Sequence, residues 1–156
     1  FDLDKAEWRI PAERMKMRQL HIVPLSRQAV ELLHELQNYT GGHQLLFPNL
    51  RNPKTGMTAT TLNRALERIG FTCKDGIGFS AHGFRATAST MLNEMGYRSE
   101  VIERQLAHAE RNKVRASYNQ AEYLEERRAM MQQWADLIDQ IATGKNKIAG
   151  IMAARI

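Results

Sequence analysis

The sequence predicts an α+β fold that is mainly α-helical, with one small antiparallel β-sheet near the N-terminus. Three observations predict it. Apolar residues alternate with polar ones only at the start, between Trp8 and Leu25. Beyond that point they recur every three or four residues. Glycines then stand where three of the helical patterns stop, at Gly41, Gly70 and Gly96. Alternation with period two marks a strand with one buried face, and recurrence near 3.6 marks a helix with one buried stripe.

In "WRIPAERMKMRQLHIVPL" Trp8 and Ile10 supply the inward positions of the first strand, and Leu20, Ile22 and Leu25 those of the return. The charged stretch from Glu13 to Arg18 connects them. Ser26 is placed to cap the first helix, whose stripe is Val30, Leu33 and Leu36 or Gln37, with Gly41 and Gly42 ending it. "LFPNLRNPKTG" is a loop, punctuated by Pro48, Pro53 and Gly56. A second helix follows Thr58 or Thr60, with Leu62, Ala65, Leu66 and Ile69 on one side and Gly70 as its stop. "FTCKDGIGFS" reads as a loop or short extended piece. The third helix is expected from about Ser80 to Met95, on a stripe of Phe84, Ala88, Met91, Leu92 and Met95. Ser99 is expected to cap a short helix carrying Val101, Ile102 and Leu106. The last helix spans roughly Ala121 to Ile141, with Leu124, Met131, Trp134, Ile138 and Ile141 inward and Glu122, Glu125, Glu126, Arg127 and Arg128 on the wetter side.

The 156 residues suffice for one domain with a real core. The expected division is a partial catalytic domain over 1–142 and a C-terminal tail over 143–156. The chain begins without Met inside a strand-forming segment, and reads as a piece of a longer protein. No apolar run is long enough to span a membrane. Twenty-two Lys and Arg against 17 Asp and Glu give a formal charge of +5, which favours an anionic partner, with nucleic acid first. The single cysteine, Cys73, excludes an internal disulfide and fits a reducing compartment. His21, His34 and His43 have no metal-ligand spacing and read as non-functional.

The candidate chemistry lies in two stretches. In "SAHGFRATASTML", His82 and Arg85 are three apart and share a face at a helix start. The start of a helix also offers unbonded backbone N–H groups and the positive end of the dipole, which suits a phosphate oxygen. The plainer reading is that His82 caps the turn and Arg85 pairs with a carboxylate. In "RQLAHAERNKVRASYNQ", Tyr118 follows His108 by ten residues. A phenol is able to form a covalent ester and split one hard displacement into two easier ones. Its ordinary pKa near 10 means it needs cations and a proton acceptor beside it. The plainer reading is a packed surface aromatic.

Taken together, "AHGFRATASTML" and "ERQLAHAERNKVRASYN" resemble the catalytic core of the tyrosine recombinases, the phage-integrase family. "RMKMRQLHIVPLS" is similar to the β-hairpin whose turn presents that family's lysine, here Lys16. "QAEYLEERRAMMQQWADLID" resembles prophage integrases of satellite-phage and genomic-island type. The resemblance covers nearly the whole chain. It implies the tyrosine recombinase catalytic core as the fold, and site-specific integration or excision of a prophage or genomic island as the activity. In it Tyr118 is the nucleophile, forming a 3′-phosphotyrosyl link and releasing a 5′-hydroxyl. Arg85 binds the non-bridging oxygens and Lys16 protonates the leaving oxygen. His82 is the acid–base partner, and His108 donates a hydrogen bond to the phosphate. No metal or nucleotide is needed.

The resemblance also implies double-stranded DNA attachment sites as substrate, a homotetramer on synapsed DNA, accessory DNA-bending and excisionase proteins, and a bacterial cytoplasmic, nucleoid-associated setting. The tail from Gly144 to Ile156 is either a frayed end or a segment that docks on a neighbouring subunit. Arg51, Lys54, Arg64, Arg68, Lys113 and Arg115 are candidates for phosphate contacts that position DNA without reading its sequence. One departure stands out. The family carries a further arginine, in a segment of the form Arg-x-x-Glu-Leu ahead of the hairpin, and "FDLDKAEWRIP" begins after it. These 156 residues alone are therefore expected to bind DNA weakly and to be inactive in cleavage. Two other readings are a type IB topoisomerase, which shares this chemistry, and a non-catalytic helical DNA-binding module.

Overall fold

Strand β1 (Glu7–Ile10) and strand β2 (His21–Pro24) form a two-stranded antiparallel sheet. The register pairs Glu7 with Pro24, Trp8 with Val23, Arg9 with Ile22 and Ile10 with His21. The computed structural model describes residues 1–16, 18–71, 80–107 and 122–145. Five α-helices follow the hairpin among these residues: α1 (Arg27–Thr40), α2 (Ala59–Arg68), α3 (Gly83–Glu94), α4 (Ser99–Gln105) and α5 (Leu124–Ala142). The mainly α fold with one small antiparallel sheet is therefore observed. None of the described helices is long and apolar enough to cross a membrane.

The chain divides into two compact units, one of Phe1–Val30 with Leu92–Ile156 and one of Glu31–Met91. The first holds the core. Leu92 of α3, Val101 and Ile102 of α4 and Met130 of α5 are buried together. Met95, Tyr97, Leu106, Tyr123, Met131 and Trp134 pack around them, partly buried. Within the same unit, polar side chains join the start of α1 to α5. The Gln28 amide donates to Asp136 at 2.8 Å and to Asp139 at 2.9 Å, and the Arg27 N–H donates to Gln132 Oε1 at 2.9 Å.

Helix ends follow local chemistry. The Ser26 hydroxyl accepts the Ala29 N–H at 3.2 Å, which satisfies one of the donors that a helix start leaves unbonded. At Gly41 a Cβ would overlap the Gln37 carbonyl oxygen, so only glycine lets the chain close on that turn. At the end of α3, Gly96 has φ +83, its N–H reaches Asn93 O at 2.9 Å, and the Tyr97 N–H reaches Leu92 O at 3.2 Å. That pair of bonds, with a glycine in a left-handed conformation, is the Schellman termination. The same two bonds close α2 at Gly70 and Phe71 and α5 at Gly144 and Lys145.

Several details differ from expectation. Trp8 is an exposed residue stacked on Phe1, with ring centroids 5.4 Å apart. The buried positions of the hairpin are Glu7, His21 and Pro24. The reason is charge pairing: Glu7 is held by Arg9 at 3.1 Å and by Arg128 at 3.2 Å, so its carboxylate is satisfied where a lone one would be costly. Phe84 is 56% exposed although Leu92 on the same helix is buried: among the described residues, the buried cluster of Leu92, Val101, Ile102 and Met130 belongs to the first unit and Phe84 lies in the second. The cap position of α4 is Arg98, not Ser99, and no side chain caps it. Arg127, expected on the wetter side of α5, is wholly buried.

Candidate functional site

Lys16 stands in the hairpin connection of the first unit. A single 3₁₀ turn, Ala12–Arg14, leads out of β1. The Met15 N–H then returns to Ala12 O at 3.1 Å, and the Arg18 N–H to Met15 O at 2.9 Å. Lys16 follows the first residue of that last turn, and Arg18 closes it with φ +50. Arg14, Lys16 and Arg18 are all exposed. A compact ammonium on a flexible stem, set on a tight turn, reaches outward to an anion and also has a proton to give.

His82 and Arg85 belong to the second unit, at the start of α3. His82 immediately precedes the first helical residue, and its carbonyl accepts the Arg85 N–H at 3.1 Å. The turn into the helix is fixed from α2: Asn63 Oδ1 accepts the Ala81 N–H at 2.9 Å, and the Gly83 N–H bonds Ser80 O at 2.8 Å. The imidazole is exposed and the guanidinium carrier half-buried. The start of the helix thus carries an imidazole, able to take a proton, and, three residues on, a planar cation with several donors. Both stand at the positive end of the helix dipole.

His108 and Tyr118 lie outside the described residues, as does Cys73. What is described is how the chain is held on either side of 108–121. Before it, Gln105 closes α4; after it, Glu122 and Tyr123 lead into α5. Tyr123 occupies the cap position with left-handed φ +47 and packs against the core, with the Arg98 guanidinium 5.0 Å above its ring. Arg98 also grips Glu126 through two N–H groups, the shorter at 2.5 Å. That hydrogen bond holds the Glu126 carboxyl below its ordinary value. Arg104 forms a two-pronged pair with the Glu122 carboxylate.

Arg127 is the residue that sequence reasoning misplaced. Its Nε donates to Gln105 Oε1 at 2.9 Å, Nη1 to the Glu122 carbonyl at 3.2 Å, and Nη2 to the Ile22 carbonyl in β2 at 2.5 Å. The Glu122 carboxylate is 3.8 Å away. Burial, and secondarily the charge of Arg104, pushes the Arg127 guanidinium down to about 10, so it is still a cation at neutral pH. A signal for this burial exists in the sequence. Leu124, Met131, Trp134, Ile138 and Ile141 leave a seven-residue gap, and Arg127 sits in it at the spacing of the stripe.

Comparison with known proteins decides the family. The model of the phage integrase family matches residues 1–125. The chain belongs to the phage integrase family. Among curated relatives, the prophage integrase IntA of Escherichia coli strain K12 is 42% identical over 156 residues, covering 100% of this chain and 37% of that protein. The integrase of Enterobacteria phage P4 is 44% identical, covering 97% of this chain and 37% of its own length. The prophage integrase IntZ of the same Escherichia coli strain is 46% identical, covering 92% and 35%. This member of the phage integrase family thus spans a little over a third of the length of these relatives. No solved structure gives a significant match. The family match takes in the hairpin with Lys16, the His82–Arg85 helix start and the stretch from His108 to Tyr118.

Proposed function

We propose that this chain is the catalytic part of a site-specific DNA recombinase, which integrates and excises a prophage or genomic island by breaking and rejoining DNA through a 3′-phosphotyrosine. The observation that carries the reading is the family match over residues 1–125, which contains all five candidate residues in order. The placement of His82 and Arg85 one turn apart at a helix start supports it.

In the reaction, the Tyr118 oxygen attacks the scissile phosphorus and the P–O5′ bond breaks. His82 is the proton partner on the nucleophile's side, and Lys16 delivers a proton to the departing 5′ oxygen. Arg85 and His108 donate to the non-bridging oxygens, where charge builds in the transition state; such preorganised donors contribute most in a water-poor site. The phosphotyrosyl bond conserves the energy of the phosphodiester, and a 5′-hydroxyl from another strand reverses the step. Neither metal nor nucleotide enters. The partners are double-stranded attachment sites, three further copies of the protein on synapsed DNA, and accessory DNA-bending and excisionase proteins, all in the bacterial cytoplasm at the nucleoid. Residues 1–142 are the catalytic domain in this reading, and 143–156 a tail that docks on the neighbouring subunit.

The test is covalent trapping on a nicked suicide duplex by the full-length recombinase. Tyr118→Phe is expected to abolish the protein–DNA adduct while leaving DNA binding intact. An adduct that persists in Tyr118→Phe overturns the nucleophile assignment and moves it to another phenol, with Tyr123 first. The 156 residues alone are expected to trap little DNA, since losing one phosphate-clamping donor costs roughly a hundredfold or more.

A further inference from the structure

The geometry points to Arg127 as a positioning residue that ties the hairpin presenting Lys16 to both ends of the segment carrying Tyr118. This rests on the reading of Lys16 and Tyr118 given above. The guanidinium is wholly buried, and each of its three nitrogens goes to a different piece of chain. One goes to the Ile22 carbonyl, six residues along the chain from Lys16. One goes to Gln105, three residues before His108, and one to the Glu122 carbonyl, four residues after Tyr118. The Glu122 carboxylate is gripped in turn by Arg104 of α4, so the two ends of 105–122 are joined twice.

The three acceptors come from the hairpin and from both flanks of the segment carrying Tyr118, which is what a positioning role requires. Burying a guanidinium is costly unless every donor finds an acceptor, so the placing of those acceptors decides where it is held. A rigid planar fork does what an apolar side chain cannot: it holds two backbone carbonyls and one side-chain carbonyl, from three stretches of chain, at hydrogen-bond distance. Nucleophile and general acid have to meet the same phosphate within a fraction of an ångström, and a misplacement of about 1 Å costs on the order of a hundredfold. Arg127 touches neither DNA nor a reacting atom in this proposal; it acts through Lys16 and Tyr118.

The experiment compares full-length wild type, Arg127→Lys, Glu122→Gln, Lys16→Ala and Tyr118→Phe in single-turnover cleavage at saturating protein. Two duplexes are used, one with an ordinary scissile phosphate and one with sulfur in place of the bridging 5′ oxygen. Sulfur leaves without a proton, so it relieves a missing acid but not a misplaced nucleophile. Arg127→Lys keeps the cation and loses the fork. It is expected to cut the ordinary duplex about ten- to a hundredfold more slowly, with DNA affinity within about twofold, and the sulfur duplex restores only part of that loss. Lys16→Ala is restored by sulfur.

Glu122→Gln, at an exposed position, is expected to shift the rate in the same direction by less, and it decides the matter if Arg127→Lys does not fold. Wild-type cleavage rates in the folded variants overturn the proposal, as does full restoration by sulfur, or a rate loss that tracks a loss of DNA affinity. If Tyr118→Phe still forms the adduct, the nucleophile assignment falls first. If Tyr118→Phe is inactive and Arg127→Lys cleaves normally, only the positioning role falls.

Discussion

Replacing Arg127 with alanine should cost this chain a large part of its stability, and the size follows from what is left behind. The guanidinium satisfies Gln105 Oε1, the Glu122 carbonyl and the Ile22 carbonyl. Each buried acceptor stripped of its donor costs about 1–3 kcal/mol. Glu122 is exposed and Gln105 half-buried, so both recover part of that from water; the Ile22 carbonyl, at 2.5 Å from Nη2, loses most. A cavity the size of an arginine side chain adds to the loss. Together these give about 3–5 kcal/mol.

Against a total of about 5–15 kcal/mol for a typical domain, that is a shift no assay would miss. Arg127→Met refills the volume but not the donors, and is expected to cost about 1–3 kcal/mol. Urea unfolding followed by Trp134 fluorescence suits the measurement, because Trp134 packs against the buried core cluster. An alanine variant within about 1 kcal/mol of the parent, or a methionine variant more stable than the parent, would refute the reasoning. Either result would mean that the three acceptors find water or other donors without strain.

Two further outcomes are expected. Ile102→Ala removes a side chain buried in the centre of the α3–α4–α5 cluster, and should lower unfolding free energy by about 2–5 kcal/mol in the same urea assay. Glu126 is held below its ordinary value of 4.5 by the Arg98 hydrogen bond, so its contribution is complete above 4.5 and fades as pH falls through the lower folded value. A carboxyl titration followed by NMR should show the Glu126 midpoint rising toward 4.5 in Arg98→Met.

Those elements whose cause is local were legible in the sequence. Ser26 opens α1, and Gly41, Gly70 and Gly96 close three helices, because a cap or a left-handed turn is set by residues within five positions of it. The place of His82 and Arg85 at the start of a helix was legible for the same reason, since the helical apolar repeat begins at Phe84. Facing was less legible. Glu7 lies inward because Arg128, 121 residues later, comes to meet it, and Trp8 is consequently outward. Arg127 is buried because an acceptor 105 residues away waits for it in β2. A charged residue normally marks the wet side of a helix. Only the complete set of acceptors reverses that, and they are assembled from three separate stretches of chain.

Tyr123 shows how two requirements narrow the choice of residue at one position. Its backbone is left-handed, a conformation that costs an ordinary residue about 1–2 kcal/mol and glycine almost nothing. Its ring packs on the core and forms the plate beneath Arg98. Glycine would answer the first requirement and forfeit the second; a β-branched residue would answer neither. Among homologous sequences, this position should therefore drift only between residues that tolerate the torsion and still present a flat face, and it should rarely be aliphatic. Whatever stands there also sets the direction from which the preceding chain arrives at α5, so its variation would be felt upstream before it was felt in the helix.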